Sequence, residues 1–269
     1  MIQYYEHHIN IRKNKSCPFK LAKADSNIPV FCNWHTNLEI FFVSDGQGAI
    51  QYDAEQIPVE RGDVAVINSG ALHCPYSDTR FVYYYLIIDE SFCLENGIDI
   101  TAFEFEKKLR DAETEALFGE VIQSMTKHGE LKDPLSVATI RGSVLSLLID
   151  LCKNHARWVG TKPDKVASSA EYVKRVLKYV NENYSSPITL EVLAELCGVT
   201  KFHLAREFKR YTGQTVFTYI NVLRCKKAEL CLSEGMSVAQ AARESGFESL
   251  SYFSRTYRRL MGVCPSKAQ

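Results

Sequence analysis

Arg206 and Arg255 carry the plainest chemistry in this sequence. A guanidinium presents its N–H groups as a rigid fork that matches O6 and N7 of guanine, so two arginines on exposed helix faces could each read a base pair. They stand in a repeat. Thr200 to Gly213 can be laid on Ser249 to Gly262, with hydroxyl, apolar, arginine, aromatic, double-basic and glycine positions in step. One turn beyond the two forks come Lys209 and Arg210, then Arg258 and Arg259, where cations meet phosphates and position a protein without specifying sequence.

The elements that must hold these side chains are legible. Thr200 and Ser249 suit a helix N-cap, and Gly213 and Gly262 suit a left-handed stop, so each copy is a short capped helix. At 100° per residue, Leu204, Phe208 and Tyr211 share one face, as do Phe253, Tyr257 and Leu260, which leaves Phe202, Arg206, Lys209 and Arg210, and Ser251, Arg255, Arg258 and Arg259, facing outwards. Thr189 to Cys197 and Ser237 to Ser245 read as the preceding helices of two helix-turn-helix units, with turns at Gly198 and Gly246-Phe247, the second one residue longer than the first. Between them Val216 to Ser233 reads as a helix about 27 Å long. A rod of that length can set two recognition helices roughly one DNA turn, about 34 Å, apart.

The chain has 269 residues, 46% of them hydrophobic, which is enough for two ordinary cores. Its net charge of zero hides a division: Lys165–Gln269 holds 16 basic and 9 acidic residues, an excess of seven positive charges, and Met1–Asp164 carries the matching negative excess. That polarity fits a nucleic-acid-binding C-terminal half joined to an N-terminal half with a different role. The nine cysteines are scattered, odd in number and without a Cys-x-x-Cys pair. This argues against a disulfide framework or structural zinc site and for a reducing compartment, with cytoplasm as the default. Met1 to Asn10 lacks the apolar core of a signal peptide, and no apolar run reaches the ~18 residues of a membrane span.

The expected fold class is α+β. Short runs at Glu39–Ser44, Gly48–Tyr52, Asp63–Asn68 and Arg80–Ile88, separated by turn residues, suggest an antiparallel barrel or sandwich over about residues 1–100. Phe103–Met125 and Pro134–Trp158 read as helices, the second so apolar that barrel packing, a homodimer seam or both must cover it. This makes 1–160 an effector-binding and dimerisation domain with its helices at about 101–158. Residues 161–169 read as a linker, and 170–269 as the all-α double helix-turn-helix domain, opened by an amphipathic helix at Glu171–Tyr184.

From Ser169 to Pro265 the text resembles the AraC/XylS family of transcription regulators. The matching residues are Leu193-Ala194 through Phe208-Lys209 and Gly213, Tyr219 to Arg224 with Lys227-Ala228, and Ala242 through Gly246-Phe247, Ser251 to Arg255 and Gly262 to Ser266. The resemblance implies that Phe202, Ala205 and Arg206, and Leu250, Ser251, Tyr252 and Arg255, stand where base-reading residues stand. The candidate DNA-binding set is these seven with Thr200, Lys201, Lys209, Arg210, Ser249, Arg258 and Arg259. For Phe202 the competing reading is a staple packed on its own domain. The sequence stops at Gln269, where relatives continue with an aromatic and an arginine.

In the N-terminal half, Asn33 to Glu39, then Gly62 to Asn68 and Gly70 to His73, resemble the two motifs of the cupin barrel, so the fold expected there is a cupin-like antiparallel β-barrel. The resemblance implies that His35, Glu39 and His73 occupy metal-ligand positions, while Asn33 replaces a histidine and Asn68 a proline. Three readings stay open: a metal site, since two imidazoles and a carboxylate form a facial ligand set; the lining of an effector pocket; or simply satisfied polar residues. The expectation is the pocket, with Trp34, His35, Glu39 and His73 as effector-binding residues, Tyr83 to Tyr85 as further stacking surfaces, and no resident metal or cofactor. Taken together, the expected protein is not an enzyme but a cytoplasmic regulator. Its expected partners are promoter double-stranded DNA, a small molecule such as a sugar, a second copy of the chain and RNA polymerase, with no membrane. The rival is a metal-dependent cupin enzyme with a DNA-binding appendage.

Overall fold

The computed structural model describes residues 16–25, 32–128, 133–160 and 169–267. They form two compact units, divided after Val166. Of the expected linker, 161–168 lies outside the described residues, and Ser169 already opens a helix.

The N-terminal unit is built around one strand. β1 (Phe19–Asp25), β2 (Leu38–Tyr52), β3 (Glu55–Glu60), β4 (Val64–Ile67), β5 (His73–Tyr76), β6 (Phe81–Ile88) and β8 (Lys108–Leu109) form an antiparallel sheet in the order β1-β6-β2-β4-β8. The first part of β2 pairs with β6 and β4, and its second part, from Gln47 on, with β3 and β5. This strand was expected as two, with Asp45-Gly46 as a turn. Instead the register to β6 shifts between Val43 and Asp45 and the chain continues, so the glycines serve a bulge at which one strand passes between two parts of the barrel. Gly46 has φ +76°, and a Cβ there would stand 1.9 Å from the Arg80 carbonyl oxygen. β1, β3 and β5 were not anticipated.

Alternation along β2 sorts its side chains, because successive residues of a strand face opposite ways. Leu38 and Ile40 join Val64, Val66, Leu86 and Ile88 in a core covered by helices, whereas Phe41 and Val43 join Ala65, Ile67, Phe81 and Tyr83 in the barrel interior. Glu39 therefore shares the interior face.

α1 (Glu90–Glu95), α2 (Ala112–His128) and α3 (Ser136–Asn154) supply the helical cover. The expected helix from Phe103 begins nine residues late. Phe103–Phe105 is a strand, β7, paired with β9 (Ala156–Trp158), and Lys108–Leu109 pairs with β4. The sequence there is rich in helix formers, but Lys108 and Arg110 reach the buried Asp63 at 2.9 and 3.2 Å, and this tertiary pairing overrides local propensity. Helix α3 likewise ends at Asn154 because the next residues pair with β7. Its apolar stripe, Ile140, Val144, Leu147, Leu148 and Leu151, is buried within this unit. What it leaves exposed is mostly small along its length, Ala138, Thr139, Gly142, Ser146 and Ile149, with Lys153 and Asn154 at its end.

The C-terminal unit is helical: α4 (Ser169–Asn183), α5 (Leu190–Cys197), α6 (Lys201–Thr212), α7 (Val216–Ser233), α8 (Val238–Glu244) and α9 (Leu250–Met261). Five of these starts follow one rule. Thr189, Thr200, Thr215, Ser237 and Ser249 each accept the amide N–H three residues on, which satisfies a donor that the helix itself leaves unpaired. α7 spans the expected Val216–Ser233 and is buried nearly all round. Tyr219 near its start meets Phe208 of α6 at 5.8 Å, and Cys225, Ala228 and Leu232 further on pack with Phe253 and Tyr257 of α9. Counted from glycine to cap, the second turn is one residue longer than the first, as expected (Gly198 to Thr200, Gly246 to Ser249).

Candidate DNA interface and barrel site

The repeat in the sequence is a repeat in burial. Leu204, Glu207 and Phe208 of α6 and Phe253, Thr256 and Tyr257 of α9 are buried at matching positions, while Phe202, Arg206, Lys209 and Arg210 face solvent, as do Ser251, Arg255, Arg258 and Arg259. Ala205 and Ser254 match as half-buried residues. Phe202 is 78% exposed with the Lys201 ammonium over its ring, so it is not a staple on its own domain. Leu250 and Tyr252 are also exposed, and the Tyr252 hydroxyl accepts a 2.9 Å hydrogen bond from Asn221 of α7, which ties the start of the second recognition helix to the central rod. Thr200 and Ser249 use their hydroxyls as helix caps, and Lys201 pairs with Glu191 at 2.8 Å.

Sequence reading missed Glu207. It is buried beneath the exposed cations of α6 and bonded to Arg210 and, at 3.3 Å, to Arg206. Burial on its own would raise its carboxyl, but the hydrogen bonds and charge of Arg210, with help from Ser169 and Arg206, outweigh it and hold the value down. Arg206 also lies 3.2 Å from Nδ1 of His203. The buried Glu207 carboxylate thus ties Arg206 and Arg210 to the helix from below, and Thr256 stands at the equivalent place below Arg255.

In the barrel the three expected residues converge. Glu39 lies on β2, His73 opens β5, and His35 precedes β2 in a segment held to β5 by the Asn33–His73 bridge. All three are buried. Nδ1 of His35 lies 3.1 Å from the Asn37 carbonyl oxygen and Nδ1 of His73 lies 3.0 Å from that of Ala71. A carbonyl only accepts, so each Nδ1 carries a hydrogen and each Nε2 faces inward. Both Nε2 atoms stand 2.9 Å from the same oxygen of Glu39. Burial alone would raise the Glu39 carboxyl, but the charge of His73 and the hydrogen bonds of both rings hold it well below the usual carboxylate range. Burial alone would likewise lower His73, and the Glu39 charge and hydrogen bond raise it instead. With protons on the Nε2 atoms the cluster is a closed ion-pair network. Without them it offers three ligand atoms within 4.8 Å of one another, the donor set of a divalent ion with its imidazoles already oriented by backbone carbonyls.

Tyr83 shares this interior, ringed by Phe41 and Phe81 at 5.5 and 4.8 Å, and Tyr85 lies on the same strand face, whereas Tyr84 turns to the helical core. Trp34 is half-buried. Asn68, at the expected proline position, is structural. Its side chain clamps β7 through both polar groups of the Phe105 backbone, at 3.1 and 2.8 Å, and bonds the Tyr52 hydroxyl. A second group of ligand types, Asp111, Asp150 and His155, is tied up by Thr114 and Asn154 where α2 meets α3.

Two family models match this chain, a helix-turn-helix domain over residues 193–269 and an AraC-like ligand binding domain over residues 30–141. The multiple antibiotic resistance protein MarA of Escherichia coli is 31% identical over 96 residues, which span 35% of this chain and 76% of MarA. The chain belongs to the AraC family of transcription regulators. The uncharacterized HTH-type transcriptional regulator YbfI of Bacillus subtilis is 26% identical over 234 residues, 82% of this chain and 80% of its own length. A structure of ToxT from Vibrio cholerae with a bound unsaturated fatty acid covers 93% of this chain and 94% of that one, at 16% identity and a TM-score of 0.46. As an AraC-family member, the protein is a DNA-binding regulator that responds to a small molecule through its N-terminal ligand-binding domain. Among the described residues no helix is long and apolar enough to cross a membrane.

Proposed function

We propose that the protein reads promoter DNA with α6 and α9 together and that the barrel residues Trp34, His35, Glu39 and His73 line its effector site. Arg206 and Arg255 take guanine, and Phe202, Ala205, Leu250, Ser251 and Tyr252 make the apolar and polar contacts to neighbouring bases. Lys201, Lys209, Arg210, Arg258 and Arg259 take phosphates. The observation that carries this reading is the matched burial of the two helices, which leaves the same cationic positions exposed twice over. The two readers carry different residues, Phe202 against Ser251 and Ala205 against Ser254, so they read different base sequences.

In the barrel, a small hydroxylated molecule such as a sugar would exchange hydrogen bonds with the His35–Glu39–His73 cluster, whose polar groups otherwise bond one another, and an effector shifts DNA binding through its differential affinity for two arrangements of the protein. The protein acts in the cytoplasm and not as an enzyme. A homodimer would use the small-residue stripe of α3, and RNA polymerase is the partner at the promoter. The rival, a metal-dependent enzyme at His35, Glu39 and His73, is favoured only by the converging ligand atoms, and stoichiometric iron or manganese with turnover in the purified protein would establish it.

The test of the DNA assignment is base preference. Arg206→Ala is expected to lose about 1–3 kcal/mol of discrimination at one base pair, whereas Lys209→Ala weakens all sequences evenly. Binding measured on a library of operator variants decides it, and an even loss for both substitutions would sink the assigned roles.

A further inference from the structure

The scattered cysteines argued for thiols throughout, yet two of them meet. Asn33 and His73 exchange backbone hydrogen bonds in both directions, at 3.0 and 2.9 Å, as an isolated antiparallel bridge. One residue outward, the same register sets Cys32 across from Cys74. A pair next to a hydrogen-bonded one has the shorter Cα separation of an antiparallel ladder and side chains close together. The Cα atoms are 4.5 Å apart, within the span a disulfide bridges, and the two sulfurs are joined. The other seven described cysteines are free. Several are unreactive by environment: burial pushes the thiols of Cys93 and Cys225 up to about 12 and that of Cys152 to about 11.

The location of the pair matters more than its existence. Cys74 follows His73 directly, and Cys32 comes three residues before His35. The bond closes a loop of sequence separation 42 that contains β2, β3, β4 and all three residues of the barrel cluster. Besides the disulfide, the segment bearing His35 is held by the two hydrogen bonds of the Asn33–His73 bridge, by one from Gly70 N–H to the His35 carbonyl at 2.8 Å, and by that of the His35 ring to Glu39 at 2.9 Å. Local opening of this segment exposes the buried thiols to a small oxidant.

We propose that Cys32 and Cys74 are an oxidant-responsive dithiol that locks the His35 segment onto β5. In reducing surroundings the pair is two thiols. A hydroperoxide oxidises one thiol to a sulfenic acid, releasing the first water or alcohol, and the second thiol displaces hydroxide from that sulfur as water. Two electrons pass from sulfur to the peroxide, and thiol–disulfide exchange with a cellular dithiol reverses the step. The thiol chemistry stands on the backbone register alone. That the lock tunes effector response rests on the effector-site reading given above.

The experiment uses the full-length protein, reduced with dithiothreitol or treated with hydrogen peroxide, with thiols counted in denaturant and disulfides located by peptide mass mapping. Nine thiols are expected after reduction and seven after peroxide, with the Cys32 peptide joined to the Cys74 peptide and amide exchange at Asn33 and His73 slowed in the oxidised form. Cys32→Ser and Cys74→Ser should form no disulfide after peroxide and show eight thiols after reduction with dithiothreitol. Nine thiols in both states, a different pair, or exchange at Asn33 and His73 that is the same in both states would overturn the proposal. The mapping on the unaltered protein stands even if either variant folds poorly. An effector response unaffected by Glu39→Gln would overturn the effector-site reading and leave the thiol count unmoved.

Discussion

Tyr257 shows how one side chain departs from its repeat. It sits in the second unit where Phe208 sits in the first, both fully buried, but its hydroxyl finds no hydrogen-bond partner among the described residues, and burial pushes its ionisation up to about 12. A buried hydroxyl without a partner carries a desolvation penalty of about 1–3 kcal/mol. Tyr257→Phe, which copies the first unit, is therefore expected to stabilise the protein by about 1 kcal/mol, read as a higher midpoint in urea. The barrel cluster makes the opposite case, of polar groups that satisfy one another. His73 is raised above its ordinary 6.5, so its share of stability is complete below that value and is lost as pH climbs through its folded value. Glu39 is depressed below its ordinary 4.5, so its share is present above 4.5 and is lost as pH falls. The contribution of the pair should peak between about 4.5 and 6.5, and thermal unfolding followed from pH 4 to 9 should show this dome in the native protein but not in Glu39→Gln.

Helix α8 and its turn show what an element demands. Gly246 adopts φ +88°, and a Cβ there would stand 2.7 to 3.0 Å from backbone atoms of Ser185, in the loop that follows α4. Backbone cannot move aside as a flexible side chain can, and a left-handed φ strains any L-residue. Gly246→Ala should cost more than 1 kcal/mol of stability, whereas Gly198→Ala at the matching turn meets no atom within 4 Å and carries only the strain of its φ of +67°. Urea titrations of the two variants compare them directly, and equal losses would show that the Ser185 contact is unimportant.

For the whole molecule, the proposed reading makes DNA affinity depend on how many phosphates α6 and α9 neutralise together. Each contact contributes about 0.9 to the slope of log K against log salt. Replacing both Arg258 and Arg259 by alanine should shallow that slope by about 1.8 while leaving the base preference of the first unit intact. Fluorescence anisotropy on one operator across a salt series measures it. A full slope in the double variant would mean that α9 does not lie on the backbone.

The amino-acid sequence by itself determined the C-terminal unit: capped helices, their buried faces and their exposed arginines are local properties, set within four residues by period, cap and glycine, and the repeat displays each of them twice. It also supplied His35, Glu39 and His73 as candidates. Only the tertiary structure decided the rest. That β2 runs through Asp45-Gly46 as one strand, that Phe103–Leu109 abandons helix for strand, and that Glu207 sits beneath Arg206 depend on partners far along the chain, Arg80, Asp63 and Ser169 among them. The same holds for Cys32 and Cys74. Their separation in sequence says nothing about pairing, because it is the register of one backbone bridge, at Asn33 and His73, that sets them face to face.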